Sequence, residues 1–192
     1  FFLTSTKKTH TIKLAKRKFK VFYFKNNRYD KSLEKKLSNS KFILVTIAPN
    51  NSGDIVLKKF KSKLINAKFK KLVYLSSTSV YGNHNGLWVN ENSKLKSTTT
   101  IGKKRILAEN QWKKFRHKNA HDINILRIAG IYSKENNTLK KIKETQKYVK
   151  EKKFFSRIRI EDLSAIIEKI FKSKNINLLM NAADDKPSTN VE

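Results

Sequence analysis

The strand-like run Leu75-Ser76-Ser77-Thr78-Ser79-Val80-Tyr81-Gly82 gathers the side chains of this 192-residue chain best suited to chemistry on a polar ligand. A serine hydroxyl can polarise an oxygen, and a phenol can transfer a proton when a nearby cation favours its charged form. Ser77 and Tyr81 are therefore the candidate catalytic residues. Each also has a plainer role: a strand-end serine satisfies loop backbone, and a tyrosine packs its ring and keeps its hydroxyl wet, the stronger reading for Tyr81. His84, in the loop that follows, is the histidine nearest this stretch and a candidate for substrate contact or proton transfer. Arg157 suits a substrate phosphate or carboxylate, or a surface pair with Glu161. Asp162 suits the first turn of a helix better than chemistry, and Trp88 suits a core anchor better than a stacking platform. His117 and His121 would share one helical face, but no third ligand lies near them and the chain has no cysteine, so no metal site is expected.

Residues of this kind work only if a scaffold presents them, and the segments alternate accordingly. Short apolar or β-rich runs at residues 1–4, 19–24, 42–47, 72–75, 123–128 and 177–181 predict strands. The run at 42–47, ended by Ala48-Pro49, reads as a strand buried on both faces. Residues 6–16, 30–37, 54–67, 102–118, 139–150 and 161–171 read as helices, with Val56, Phe60 and Leu64 forming one stripe. Strand–helix alternation of this kind predicts an α/β fold with a doubly wound, Rossmann-like parallel sheet between two helix layers. Such sheets take ligands beyond the carboxyl ends of their strands. That places binding candidates at Thr6 and Lys7, at Ala48 and Pro49, at Ser76, and at Ala129 and Gly130. The irregular stretch 83–100 is the expected functional loop.

Composition narrows the class further. Lys and Arg number 44 against 15 Asp and Glu, a net charge of +29, yet 37 of the cations are Lys and they are spread along the chain. Nucleic-acid readers cluster Arg for bidentate contacts, so a solvated surface is the better reading and no specific nucleic-acid partner is expected. No apolar run reaches the ~18 residues of a spanning helix, and no secretory signal pattern is present. The expectation is a cytoplasmic protein with a small-molecule substrate, compatible with a homodimer.

Several segments together resemble the extended short-chain dehydrogenase/reductases, the relatives of nucleotide-sugar epimerases and dehydratases. Residues 75–82 are similar to that family's strand-to-loop signature. Arg105-Ile106-Leu107-Ala108-Glu109 resembles its Lys-Leu-Ala-x-Glu helix, and Leu126-Arg127-Ile128-Ala129-Gly130-Ile131-Tyr132 the strand and loop near the nicotinamide. Phe155 to Asp162 resembles the segment that opens a substrate-side helix, and Asn181-Ala182-Ala183-Asp184-Asp185 the strand after it. With Asn83-His84-Asn85-Gly86 and Trp88 added, the chain is most similar to an atypical, epimerase-like subgroup. The resemblance implies an NAD or NADP cofactor, with NADP slightly favoured because Lys7 and Lys8 follow the second strand, where a cation selects a 2′-phosphate. It implies Ser77 as the hydroxyl that bonds the reacting carbonyl, Arg105 as a ligand for ribose or phosphate oxygens, and His84 and Arg157 on the substrate side.

Two departures stand out. The glycines, at positions 53, 82, 86, 102 and 130, form no G-x-G-x-x-G loop, and the family's first strand has no counterpart. The chain therefore reads as a fragment, cut at both ends, whose sheet lacks a strand between those at 1–4 and 42–47. That absence would leave two rows of backbone groups facing a gap. In the family's Tyr-x-x-x-Lys pair, Ile101 stands at the Tyr position and Arg105 at the Lys; a shift by one gives Thr100 and Lys104. Neither Ile nor Thr serves as the acid. The expected organisation is a truncated dinucleotide-binding domain at 1–132 and a truncated substrate-side segment at 133–192. The expected function is an NAD(P)-dependent epimerase/dehydratase-like oxidoreductase on a sugar-like or other hydroxyl or keto substrate. The rivals are a non-catalytic dinucleotide-binding sensor or scaffold and a basic nucleic-acid binder.

Overall fold

Consecutive apolar residues with β-branched members extend and pair, and four such segments build the central parallel sheet. They are β5 (Phe42–Val45), β6 (Lys71–Ser77), β7 (Ile123–Ile128) and β11 (Leu179–Ala182), in the spatial order β11-β7-β6-β5. All three pairings are parallel, from Phe42↔Lys71 at one end to Ala182↔Ile128 at the other. The structure is a computed structural model and describes residues 2–25, 28–119, 121–135, 154–174 and 178–189. The α/β class and the Rossmann-like parallel sheet expected from the sequence are what it shows.

Helices cover both faces of this sheet. On one side lie α1 (Ser32–Ser38), α2 (Ile55–Asn66) and α3 (Thr100–Asn119), packed through Leu64, Trp112 and Phe115 onto Leu72, Tyr74 and Ile125. On the other lies α4 (Ile160–Lys172), whose Leu163 and Ile170 meet Val73, Leu126 and Ile128. Asp54 accepts from the Leu57 amide at 2.7 Å and so caps the start of α2. The segment expected as a helix at 139–150 lies outside the described residues.

The first part of the chain departs from expectation. Residues 6–16 contain β2 (His10–Leu14), not a helix. Thr11-Ile12-Lys13-Leu14 alternates with a period of two, and Ala15, at φ 51°, turns the chain back onto β3 (Arg17–Lys25). The antiparallel ladder from His10↔Val21 to Leu14↔Arg17 satisfies backbone groups that a short helix with Ile12 and Leu14 on different faces would not have held. The strand β1 (Phe2–Ser5) pairs in parallel with the other edge of β3, and β4 (Arg28–Tyr29) completes this second sheet.

Among the described residues, β1 and β5 are each the last strand of their sheets. Between them opens a cleft of about 1790 Å³, lined by Phe2 and Leu3 of β1, residues 42–47, Phe22 of β3, and Phe171 of α4. Phe42 and Leu44 are accordingly 47% and 42% exposed, so β5 is not buried on both faces as its composition suggested.

Candidate functional site

A second cavity, of about 620 Å³, sits where β5, β6 and β7 end. That volume is in the range of small-molecule sites. Leu44, Leu75, Ile128 and Ile131 give it apolar walls, α4 closes one side with Leu163 and Ile167, and Arg105 is the one charged residue of its lining among the described residues. The polar lining comes from Thr46, Ser76, Ser77 and Ser164. Ser76, Ser77, Arg105 and Ala129, four of the residues singled out in the sequence, are brought together here.

Side-chain alternation along β6 decides what each serine does. Ser76 turns toward α3 and gives its proton to Glu109 Oε1 at 2.6 Å, so its hydroxyl is already engaged. Ser77, on the opposite face and half-buried, accepts from the Ser79 amide at 3.1 Å as the cap of a 3₁₀ turn (Thr78–Val80). That bond uses a lone pair and leaves the Ser77 proton available to a ligand oxygen. The capping role and the ligand-facing role are therefore compatible.

Arg105 projects from the second turn of α3. The strand β5 stops opposite Tyr74, and the carbonyl of the next residue, Leu75, accepts from Arg105 Nη1 at 2.7 Å. The same nitrogen lies 3.3 Å from the Tyr74 hydroxyl. Burial pushes the Tyr74 phenol up to about 12, against the pull of Arg105, so it stays protonated and fixes the guanidinium without titrating. Ile101, one turn earlier on α3, is 68% exposed and offers no proton.

Tyr81 belongs elsewhere. It is 3% exposed, its hydroxyl gives a bond to Asn181 Oδ1 at 2.7 Å and receives one from Arg127 Nη1 at 2.9 Å, and its ring lies 4.9 Å from the Arg127 guanidinium carbon. Arg127 in turn reaches both carboxylate oxygens of Glu109, at 3.0 and 2.8 Å, where both side chains are almost wholly buried. Burial alone would lower the Arg127 pKa, but the bonds to Glu109 and Tyr81 outweigh it and the net shift is upward. The Tyr81 hydroxyl thus completes a buried network and is not in the cavity lining, an arrangement that matches the packed role the sequence favoured for it. Sequence reasoning quoted Glu109 and Arg127 as separate motif pieces and missed them as a pair. The available signal was an arginine inside a strand otherwise apolar except for Asn124, where a buried charge needs a partner of opposite sign.

The other candidates are dispersed. His84 Nε2 lies 3.0 Å from the Lys94 carbonyl, so its ring pins the loop onto itself. That loop is folded down on the strand ends: the Lys96 amide bonds the Tyr81 carbonyl at 2.9 Å, and Glu91 accepts from the Asn181 amide at 2.6 Å. Gly82, at φ +71°, is required there, since a Cβ would stand 2.7 Å from the Lys96 backbone. Arg157 pairs across β10 (Arg157–Arg159) with Gly130 of β8 (Gly130–Tyr132), beside the cavity but outside its lining, with its guanidinium carbon 5.9 Å from the Phe155 ring centre. Glu161 pairs with Arg159, not Arg157, as does Asp162. Thr6, Lys7, Ala48 and Pro49 line neither cleft; the Lys7 amide bonds Ser5 Oγ and its side chain is exposed. Trp88 is 78% exposed and anchors nothing in the core. His121 stacks on Phe69 with ring centres 4.6 Å apart.

Comparison with known proteins gives the same architecture. No family model and no curated protein matches the chain. Solved structures do. A conserved protein of unknown function from Silicibacter pomeroyi is 30% identical, with a TM-score of 0.69, over 77% of this chain and 52% of its own. UDP-glucuronic acid 4-epimerase from Bacillus cereus, in complex with NAD, is 18% identical, with a TM-score of 0.71, over 90% of this chain and 63% of its own. UDP-N-acetylglucosamine 4-epimerase from Methanobrevibacter ruminantium is 19% identical, with a TM-score of 0.69, over 84% and 61%. The chain thus spans between about half and two thirds of the length of these neighbours, and the likeness is one of fold.

Proposed function

We propose that the cavity at the ends of β5, β6 and β7 takes the nicotinamide end of NAD or NADP, in a protein of the epimerase/dehydratase kind acting on a hydroxyl or keto group of a sugar-like small molecule. One observation carries this reading. Ser77, with a proton to give, and Arg105, a fixed cation, open into one apolar-walled crevice at the carboxyl ends of parallel strands, the position such sheets use for ligands. The lining fits the group: Leu44, Leu75 and Ile128 suit a flat ring, and the remaining Arg105 donors are left for substrate oxygens. The bound cofactor would supply or accept a hydride at a substrate carbon. Ser77 would hold the oxygen on that carbon by donating its O–H, and the apolar walls would keep water from the reacting face.

The pyrophosphate end calls for a glycine turn at a helix N-terminus. The cleft between β1 and β5 supports its placement on a further strand between them. A second reading, retention of the dinucleotide without turnover, is favoured by Ile101 and by the engagement of Tyr81 in the buried network.

The test is a titration of the chain with nicotinamide mononucleotide, followed by amide chemical shifts. Saturable shifts at Ser77, Ile128 and Ala129 are the expected outcome. Saturating ligand that leaves these amides unmoved would overturn the reading. Binding without oxidation or reduction of a panel of hydroxy and keto sugars would favour the second.

A further inference from the structure

The charge of Arg105 is not balanced by an ion pair among the described residues. Nη1 is spent on two neutral acceptors, the Leu75 carbonyl and the Tyr74 hydroxyl. Of the described acids within electrostatic reach, Glu109 holds Arg127 and Ser76, and Asp54 caps α2 through Oδ1 and forms no ion pair with Arg105. Among the described residues no carboxylate lines the cavity, whose other polar side chains are hydroxyls. Nε and Nη2 have no partner among the described residues, and the two bonds at Nη1 fix the plane in which their protons lie. A half-buried guanidinium oriented in this way, against apolar walls, is matched in geometry and charge by a carboxylate, which accepts two parallel N–H bonds. A ribose hydroxyl pair offers neither the charge nor the planar fork.

We propose that Arg105 is a specificity-determining residue and that the substrate carries a carboxylate seated on it, a hydroxy or keto acid whose oxygen reaches Ser77. This rests on the nicotinamide reading for the second ligand of the crevice, and it narrows the substrate class. Lysine at this position would present a point charge; arginine adds selection for a planar two-oxygen anion.

The experiment compares 2-ketobutyrate, its amide and inorganic phosphate as ligands of the 192-residue chain, at moderate salt to suppress unspecific attraction to its +29 charge. The readout is the Arg105 Nε–H resonance together with the Ser77 amide. The carboxylate should move both, with the amide at least about tenfold weaker. Arg105→Lys should lose most of that preference, and Arg105→Gln all of it. Equal binding of carboxylate and amide, or phosphate bound as tightly as carboxylate, overturns the proposal. The comparison of ligands on the unaltered chain decides this even if a variant folds poorly. Nicotinamide mononucleotide separates the two readings. If it moves the crevice amides while ketobutyrate does not, the substrate class fails and the cofactor site stands; the reverse result leaves the carboxylate seat without a nicotinamide site.

Discussion

Ser77 and Tyr81 lie four residues apart on one motif, yet the backbone sends them to different jobs. Ser77 ends a strand and faces a crevice, whereas Tyr81 follows a 3₁₀ turn that rotates its ring under the loop and onto Arg127. If Tyr81 is structural, Tyr81→Phe should lower unfolding stability by about 1–3 kcal/mol, the range for stranding buried partners. It should leave nicotinamide mononucleotide binding within about twofold. Arg127→Met should cost more, about 3–5 kcal/mol, because it strands the Glu109 carboxylate with Ser76 as its remaining buried partner. Denaturant unfolding of both variants gives the ranking; a Tyr81→Phe variant that unfolds like the parent but loses ligand binding would return Tyr81 to the crevice. Sequence could nominate both residues because hydroxyls at a strand end are visible in a string of letters. It could not rank them, since the ranking depends on which way one turn of 3₁₀ helix points a ring. Arg105 was legible as a cation one helical turn after Ile101, but the acceptors that orient it, a strand-end carbonyl and a tyrosine from β6, were not.

At the level of elements, strands with dense apolar runs were readable and marginal segments were not. Ile123 to Ile128 is a strand in both readings because every residue of it is buried. Residues 6–16 misled because the local pattern was too sparse to favour either period, and the partner strand β3 settled it from outside the window. The helix read at 54–67 from its Val56, Phe60 and Leu64 stripe is capped by Asp54, which has a consequence for pH. Burial raises the Asp54 carboxyl above its ordinary 3.8, against the opposing bond from the Leu57 amide. The native state therefore holds that proton more tightly than the unfolded chain does. Its contribution to stability falls as pH rises through 3.8 and onward to the raised native value, where the loss is complete. Asp54→Asn keeps an acceptor for Leu57 and removes the titration. Its melting temperature relative to the parent should climb as pH is taken upward from about 3.8 toward neutrality. A constant difference across that range, by calorimetry, would mean that Asp54 titrates normally.

Among the described residues, helices flank a layer of strands that is interrupted between β5 and β1. Parallel strands are ordinarily covered on both faces and paired on both edges. Here α1 and α2 cover one face of the interruption and α4 the other, while β1 and β5 each offer an edge to the same apolar cleft. The apolar composition of 42–45 reads as an interior strand, and the half-exposure of Phe42 and Leu44 reads as an edge; both follow if one more strand belongs between β5 and β1. A strand parallel to β1 and directly preceding it would need a crossover of at least about a dozen residues. The prediction is made with a designed strand, Val-Ile-Val-Ile-Val-Gly, joined ahead of Phe2 through a flexible Gly/Ser linker of about fifteen residues, a length within reach of such a crossover. Hydrogen exchange of the β1 and β5 amides that face the cleft should slow by on the order of a hundredfold. The melting temperature should rise by about 4 °C or more. A version with proline at two of the inward positions would fill the same volume but cannot donate to either ladder. If the proline version protects those amides equally, the cleft is an apolar groove and not a strand seat. If the amides exchange slowly before any strand is added, the two sheets already close on each other and the interruption has no structural meaning.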